Sequence, residues 1–447
     1  MTTSATPETF SLQSLTSLVD ETAIQPGAAL NGDLRDRLTR SITPTVNILG
    51  LVSPGTQAEL AAVMAAAHQQ GCPVLPLGAG SKIDWGGLVG NPGDNLLLLS
   101  LARINRLIDH AVGDLTVTVE AGINFAGLQK TLAAAGQFLA IDPTSPDRAT
   151  IGGIIATGDT GSLRQRYNSV RDMVLGITFV RADGQVAKAG GRVVKNVAGY
   201  DLMKLLTGSY GTLGIVTQVT LRVYPLPEAA QTIVLTGKAA ALSSAAQTLR
   251  SSALTPTQAD LLSASLVNKL FNRTGMGLIV RFQGMRSGVE QQAQRLVEVG
   301  QAIGLTHASC SGDDDLTLWQ QLSAQMLPTN PSTQIACKIG IRPTDGVALL
   351  QQLESMSVPS FCQIYNASGV GRLLILETPP DITYLKQIRA FCQSRQGYVS
   401  ILQALTAVKQ TLDLWGYSGN GLDLMRQIKQ QFDPDQLLSR RRFVGGI

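Results

Sequence analysis

The chain has 447 residues, room for two or three domains with sizeable cores, and its 44% hydrophobic and 15% charged residues fit a globular protein. A formal net charge of +4 is too mild to argue for nucleic acid, and the one dense basic run, Arg440-Arg441-Arg442, is too short to reverse that. The five cysteines (Cys72, Cys310, Cys337, Cys362 and Cys392) form no C-x-x-C pair, which excludes an iron–sulfur or zinc site built on local spacing.

An odd number of cysteines in a long chain reads as reduced thiols and a cytoplasmic location. No Lys or Arg precedes Arg35 and no apolar stretch follows the start, so no secretory signal is expected. No run of 18 apolar residues is present, so no membrane span is expected.

Residues 1–42 read as a helical leader and linker, with Leu12, Leu15 and Leu18 at helical spacing. Thr56-Gln57-Ala58-Glu59 is a capping box; Leu60, Val63, Met64 and Ala67 follow on one helical face, and Gly71 supplies the stop. A short strand, Val74 to Leu77, runs into Gly78-Ala79-Gly80-Ser81, and a second strand covers 96–101. Residues 115–119 alternate as a strand, ended by Ala121-Gly122. Phe125, Leu128 and Leu132 mark a helix closed by Gly136. A second Gly-rich block, DPTSPDRATIGGIIATGDTG, covers 142–161. Strands at 173–182 and 185–189, joined at Asp183-Gly184, form a hairpin signal. The third Gly-rich block, 190–225, holds a helix over Leu202–Leu206, a turn with Gly208, Gly211 and Gly214, and a strand over 215–223.

Pro225-Leu226-Pro227 punctuates a boundary. Beyond it, strand-like pieces at 232–235, 278–282, 335–341 and 373–376 alternate with polar helices at 287–303 and 382–395. That alternation predicts an antiparallel sheet covered by helices on one face. A final helix, Leu422–Phe432, precedes Asp433-Pro434, and no repeat of fixed period is visible.

Taken alone, Gly78-Ala79-Gly80-Ser81 is more often a tight turn than a ligand site. It could also aim successive N–H groups at an anion. It is not a G-x-G-x-x-G fingerprint, because Ile83 stands where the third glycine belongs, and no G-x-x-x-x-G-K-[ST] loop exists. Three Gly-rich blocks, each at a strand boundary and in this order, are a stronger signal than any one.

Residues 43–227 resemble the FAD-binding domain of the vanillyl-alcohol-oxidase or PCMH type. The resemblance is carried by PLGAGS at 76–81, LTVTVEAG at 115–122, DPTSPDRATIGG at 142–153, RYNSVRDMVLGITFVRADG at 166–184 and GSYGTLGIVT at 208–217. It implies an α+β fold of two subdomains that clamp FAD. Leu77, Gly78, Ala79, Gly80 and Ser81 would hold the pyrophosphate. Pro143, Thr144, Ala149, Thr150, Gly152, Gly153, Ala156 and Gly158 would line the flavin and diphosphate, and Ile215 would add main-chain contacts near the adenine. Relatives that tether FAD covalently through the first loop carry a His about where Ser81 stands, so FAD is expected to be non-covalent.

KNVAGYDLMKLLTGSYGTLGIVT at 195–217, DLWG at 413–416, DLMRQIKQQFDP at 423–434 and RFVGGI at 442–447 carry a narrower resemblance. They resemble the E-subunit family of bacterial glycolate oxidases, also called glycolate dehydrogenases. Domains are then expected at 1–42 (leader), 43–227 (FAD-binding) and 228–447, a ferredoxin-like α+β cap whose last helix and tail return to the FAD domain. Two departures stand out. Relatives end with something like Asn-Pro-Gly-Arg where this chain has Ser439-Arg440-Arg441-Arg442, so any chemistry of that tail differs here. Related D-2-hydroxyacid dehydrogenases carry H-x-G-D-G-N-x-H in the cap, whereas His68, His110 and His307 sit in no such motif, and no metal site is expected.

Oxidising a 2-hydroxy acid needs a base for the hydroxyl proton and cations for the carboxylate. Lys195, Asn196, Tyr200 and Asp201 are a polar cluster that could face a flavin or a small acid, although bracing the loop and capping the next helix accounts for them more simply. No catalytic residue is assigned. The resemblance implies an FAD subunit of a glycolate-oxidising complex. A sister FAD subunit would hold the substrate site and an iron–sulfur subunit would carry electrons onward, with no transmembrane segment and any membrane association made through the complex. Two alternatives stay open: a free-standing FAD oxidoreductase acting on another small hydroxy acid or alcohol, and a degenerate flavin domain kept as a scaffold.

Overall fold

The computed structural model describes residues 10–30, 32–192, 199–377 and 382–447. The chain divides into two compact units. The first comprises Met1–Asp159, Ser169–Pro225 and Ser418–Ile447; the second comprises Thr160–Asn168 and Leu226–Tyr417. No helix among the described residues is long and apolar enough to cross a membrane.

Within the first unit, the strand Asn95–Ser100 reads NLLLLS, and Leu96 to Leu99 are all fully buried. Successive strand residues face opposite ways, so a run that is apolar at every position belongs inside a sheet covered on both faces. It lies between Asn47–Val52 and Val74–Leu77, parallel to both. Ile24–Pro26 completes the sheet as an antiparallel edge.

The leader is therefore built into the fold rather than forming a free helix and linker. Leu12–Leu15 is a single 3-10 turn, because the Ser14, Thr16 and Ser17 hydroxyls bond back to local carbonyls and compete with a longer helix. The helix Gly32–Ser41 then adds Leu38 to a core with Leu75, Leu96 and Leu98. Gln57–Gln69 buries the four residues that its spacing predicts. Thr56 accepts from Glu59 N at 3.2 Å, but Glu59 returns its bond to Gly55 N at 2.8 Å, one residue upstream of a regular capping box.

A second sheet of the first unit is antiparallel, in the order Leu107–Ala111, Thr116–Glu120, Ile215–Arg222, Val174–Val180, Val186–Gly190. Its last two strands are the expected hairpin, turned by Gly184 at φ +85°. The second Gly-rich block is not loop throughout, since Ile151–Thr157 is a helix. Thr150 caps its start, Gly158 ends it at φ 58°, and Ile151, Ile154 and Ile155 bury one face.

The second unit holds one eight-stranded antiparallel sheet. Its order is Thr306–Ser311, Ala229–Gly237, Met276–Gly284, Gln258–Leu262, Ser360–Tyr365, Val370–Ile375, Ile335–Gly340, Tyr398–Gln403. With the strands of each half numbered 1 to 4 along the chain, the first half runs 4-1-3-2 and the second runs 2-3-1-4, which is the same order read from the other edge. The second half is a β-α-β-β-α-β ferredoxin-like motif, the first is the same motif with the helix Ala264–Phe271 inserted between its second and third strands, and the two join through Gln258–Leu262 and Ser360–Tyr365.

Helices cover both faces of this sheet, not one. Leu235, Leu278, Val280, Ile339 and Leu373 pack with Ala239–Ser251, Arg286–Ala302, Gly346–Ser355 and Thr383–Gln393; Val234, Leu262, Ile279 and Leu374 pack with Ala264–Phe271 and Gly312–Gln325. The reason lies in the strands: residues 276–280, MGLIV, are buried at every position instead of alternating. The segment 160–168 is tied into this unit, where the buried Ser162 hydroxyl donates to Asp260 Oδ1 at 2.6 Å.

Candidate functional site

The site starts at the carboxyl end of Val74–Leu77, the end of a parallel strand where α/β sheets bind ligands. Leu77 O closes the ladder by accepting from Leu101 N at 2.9 Å. In the loop that follows, the N–H groups of Gly78, Ala79, Gly80 and Ser81 donate to no protein acceptor among the described residues. Gly80 lies at φ +67°, which makes the tight turn. A Cβ on Gly78 would lie 2.2 Å from Thr150 Oγ1, so only glycine lets this loop touch the cap of the helix Ile151–Thr157. Four successive donors on a loop of small residues form an anion cradle.

The cradle opens on a cavity of ≈ 740 Å³, including space open to solvent, lined by residues of the loop 76–83, by Leu101, Ala121, Thr150, Gly152, Gly153, Ala156 and Thr157, and by Ser209, Tyr210, Gly211, Gly214, Ile215, Val216 and Arg442. The second and third Gly-rich blocks meet there. Gly208 N donates to Ile155 O at 2.9 Å and Tyr210 N to Ala156 O at 2.7 Å, which satisfies carbonyls at the end of the short helix. Gly152 sits where a Cβ would be 2.8 Å from the Ala121 methyl.

Among the described residues, the ionisable side chains lining the cavity are Lys82, Tyr210 and Arg442, with no carboxylate. Lys82 Nζ lies 3.2 Å from Asp159 Oδ2, both side chains under 5% exposed, and Asp159 also accepts from Thr144 N at 2.7 Å and Thr144 Oγ1 at 3.1 Å. Arg442 Nη2 donates to Lys82 O at 2.8 Å and Ile83 O at 3.1 Å, and its Nε donates to Trp85 O at 3.2 Å. Burial lowers the Arg442 pKa to about 10, opposed by Tyr210 and Asp84, so the guanidinium remains cationic at neutral pH. Unpaired backbone donors, small residues and a cationic lining fit an extended anionic cofactor such as FAD.

Of the residues that the resemblance implicates, Leu77, Gly78, Ala79, Gly80, Ser81, Thr150, Gly152, Gly153, Ala156 and Ile215 surround this cavity. Pro143, Thr144, Ala149 and Gly158 do not line it: Pro143 and Ala149 are buried beside it in sequence, Thr144 is bonded to Asp159, and Gly158 ends the helix. Lys195 and Asn196 lie outside the described residues. Tyr200 is 91% exposed. Asp201 stands at the N-cap of Leu202–Leu206 but makes no cap bond; its carboxylate pairs instead with Lys204 at 2.8 Å. His68 lies 3.3 Å from Asp435, His110 is 2.8 Å from Gln137 Oε1, and His307 is on the edge strand Thr306–Ser311. Sequence reasoning missed Lys82 and Arg442. Lys82 directly follows the loop, and the arginine run weighed as a basic patch is split, with Arg442 buried, Arg440 half-buried and paired to Asp94 at 3.0 Å, and Arg441 exposed.

Residues 48–190 match the FAD binding domain family. Glycolate oxidase subunit GlcD of Bacillus subtilis is 32% identical over 184 residues, 41% of this chain and 38% of that protein. Glycolate oxidase subunit GlcE of Escherichia coli is 39% identical over 124 residues, 28% of this chain and 35% of that protein. Each match thus spans little more than a third of the relative's length. A probable mitochondrial D-lactate dehydrogenase of Danio rerio is 29% identical over 417 residues, 87% of this chain and 83% of that protein. Among solved structures, 4-ethylphenol oxidase from Gulosibacter chungangensis superposes with a TM-score of 0.74 at 14% identity, covering 98% of both chains; at that identity the likeness speaks for the fold alone. With the cradle, the three Gly-rich blocks and these matches together, residues 48–190 form an FAD-binding domain, and FAD is its cofactor.

Proposed function

We propose that this chain is the FAD-binding subunit of a cytoplasmic assembly that oxidises glycolate to glyoxylate and passes the electrons to a partner. The observation that carries this reading is the cradle at Gly78–Ser81, together with similarity to two proteins named as glycolate oxidase subunits. FAD supplies the two-electron acceptor when bound. The residues of this chain hold it: the loop amides, with Arg442 and Lys82 behind them, suit the negative charge, and Thr150, Gly152 and Gly153 allow close approach. Ser81 offers no ring nitrogen for a covalent tether, so FAD is held by these contacts alone. Among the described residues, the cavity lining supplies no carboxylate or imidazole as a base for the substrate hydroxyl, which supports a sister FAD subunit as the site of proton removal, with an iron–sulfur subunit taking the electrons.

The experiment purifies the chain alone and together with its co-expressed partners, and measures glycolate-dependent dye reduction. The assembly is expected to be active and the single chain to carry FAD with little turnover. Robust glycolate:dye activity from the single chain would overturn the division of labour.

A second reading has support of its own. The match over 87% of the chain is to a D-lactate dehydrogenase, which favours a free-standing oxidoreductase of a D-2-hydroxy acid. Anaerobic mixing of the FAD-loaded chain with D-lactate, D-2-hydroxyglutarate or glycolate separates the two. Bleaching of the flavin band without a partner supports this reading, and a band that stays oxidised supports the first.

A further inference from the structure

The segment Ser418–Ile447 rejoins the first unit after the chain has built the whole second unit. It makes two kinds of contact there that the cofactor chemistry does not require. Lys429, on the helix Leu422–Phe432, is buried, and its ammonium donates to Thr212 O at 2.8 Å, Leu438 O at 3.0 Å and Asp433 Oδ2 at 2.5 Å. Asp433 is itself fully buried and accepts from Leu437 N at 2.9 Å and Leu438 N at 2.7 Å. Thr212 lies in the turn that carries Ser209, Tyr210, Gly211 and Gly214 into the cavity wall. Arg442 lines the cavity itself, lies over the Tyr210 ring at 5.7 Å, and gathers the carbonyls of Lys82, Ile83 and Trp85 just beyond the amide cradle. The segment also closes the sheet ladder, since Ser439 N donates to Val74 O at 2.9 Å and Val74 N to Leu437 O at 2.8 Å, on the strand that leads into the cradle. The 209–214 turn and the 82–85 stretch beside the cavity are thus both held by one segment far away in sequence.

We propose that Ser418–Ile447 is a latch on the cofactor cradle, with Lys429 and Arg442 as positioning residues, so that FAD binding and docking of the segment stabilise each other. The inference rests on FAD occupying the cavity at Gly78–Ser81. Its physical basis is linkage: if the docked segment fixes the walls in their binding geometry, it raises FAD affinity by some factor, and FAD must then favour docking by the same factor.

The test measures two quantities on the full chain. One is the FAD dissociation constant, from quenching of flavin fluorescence. The other is the hydrogen-exchange protection of 422–432 with and without FAD. Two variants are used. Arg442→Lys keeps the charge but not the planar fork that reaches several carbonyls. Lys429→Met combined with Asp433→Asn removes the donor to Thr212 O without leaving an ion buried alone, so the variant can still fold. We expect FAD affinity to fall by about tenfold in each, within the range usual for such couplings, and FAD to slow exchange of 422–432 in the wild type by a comparable factor. A bracing role without coupling would leave that exchange indifferent to FAD. Unchanged FAD affinity in both variants, or equal protection of 422–432 with and without FAD, overturns the proposal. A wild-type chain that takes up no FAD would instead overturn the cofactor reading on which it rests.

Discussion

The two units spend their glycines and charges differently. In the first, glycines stand where a side chain would collide with another part of the same site, as Gly78 against Thr150 and Gly152 against Ala121, and the buried pairs Lys82–Asp159 and Lys429–Asp433 line or brace one cavity. In the second, the buried charges close on one another. Arg281 pairs with Asp315 at 2.5 Å, and Asp315 also accepts from the Thr232 hydroxyl. Asp260 accepts from Ser162 and Gln363. One unit is shaped by what it must leave room for; the other is shaped by its own duplicated sheet. Perturbing each in turn should therefore separate cofactor binding from plain stability.

The largest effect is expected from Lys429→Ala, which strands Asp433 as a buried carboxylate. Breaking such a pair costs about 3–5 kcal/mol, and chemical denaturation followed by first-unit probes should show it, with FAD affinity falling alongside. Leu278→Ala in the second unit should cost about 2–5 kcal/mol at a fully buried position. The comparison predicts an FAD dissociation constant that stays within about twofold of wild type, well under the tenfold that 1.4 kcal/mol represents; a larger change would show that the second unit helps hold the cofactor.

Next comes Gly78→Ala. Its methyl would displace the Thr150 hydroxyl that accepts from Gly153 N at 3.3 Å. A roughly hundredfold loss of FAD affinity, about 2.7 kcal/mol, is expected by titration. Adding Thr150→Ala removes the clash at the expense of a helix cap worth about 1 kcal/mol, so the double variant should bind FAD better than Gly78→Ala alone. A double variant that binds worse would mean that the contact is not what requires glycine.

At neutral pH the smallest effect comes from the buried thiols, whose influence on stability appears only in alkali. Burial pushes the thiols of Cys72, Cys337 and Cys392 up to about 12 from 9.0. The folded state therefore keeps these protons while an unfolded chain loses them, so their stabilising contribution is complete below pH 9 and is lost progressively between pH 9 and 12. Each thiol should lower stability by about 1.4 kcal/mol per pH unit in that window. Cys310, half-exposed and raised only to about 11, should be the first to react with iodoacetamide near pH 9. Faster labelling of Cys337 would contradict its burial.

Much of the first unit was legible because its constraints are local. The strand Val74–Leu77, the helix face at 60, 63, 64 and 67, the Asp183-Gly184 hairpin and the helix Leu202–Leu206 each follow from a short pattern. The braces were not legible. Lys429 and Asp433 are spaced i, i+4 like any surface pair, and nothing local says that this helix face is buried on Thr212, 217 residues away. Arg442 read as part of an exposed run for the same reason. In the second unit the duplication escaped notice because it is a repeat of strand order, not of residues, and both-face burial of the sheet shows only in strands such as 276–280 that fail to alternate.

The central claim is that the amides of Gly78, Ala79, Gly80 and Ser81 hold FAD. Residue-resolved hydrogen exchange of these four amides, with and without saturating FAD, tests it most directly. They should exchange quickly in the cofactor-free protein, where they donate to no acceptor among the described residues, and slow markedly on FAD addition while amides of the eight-stranded sheet stay unchanged. FAD that binds without slowing these four amides would contradict the account.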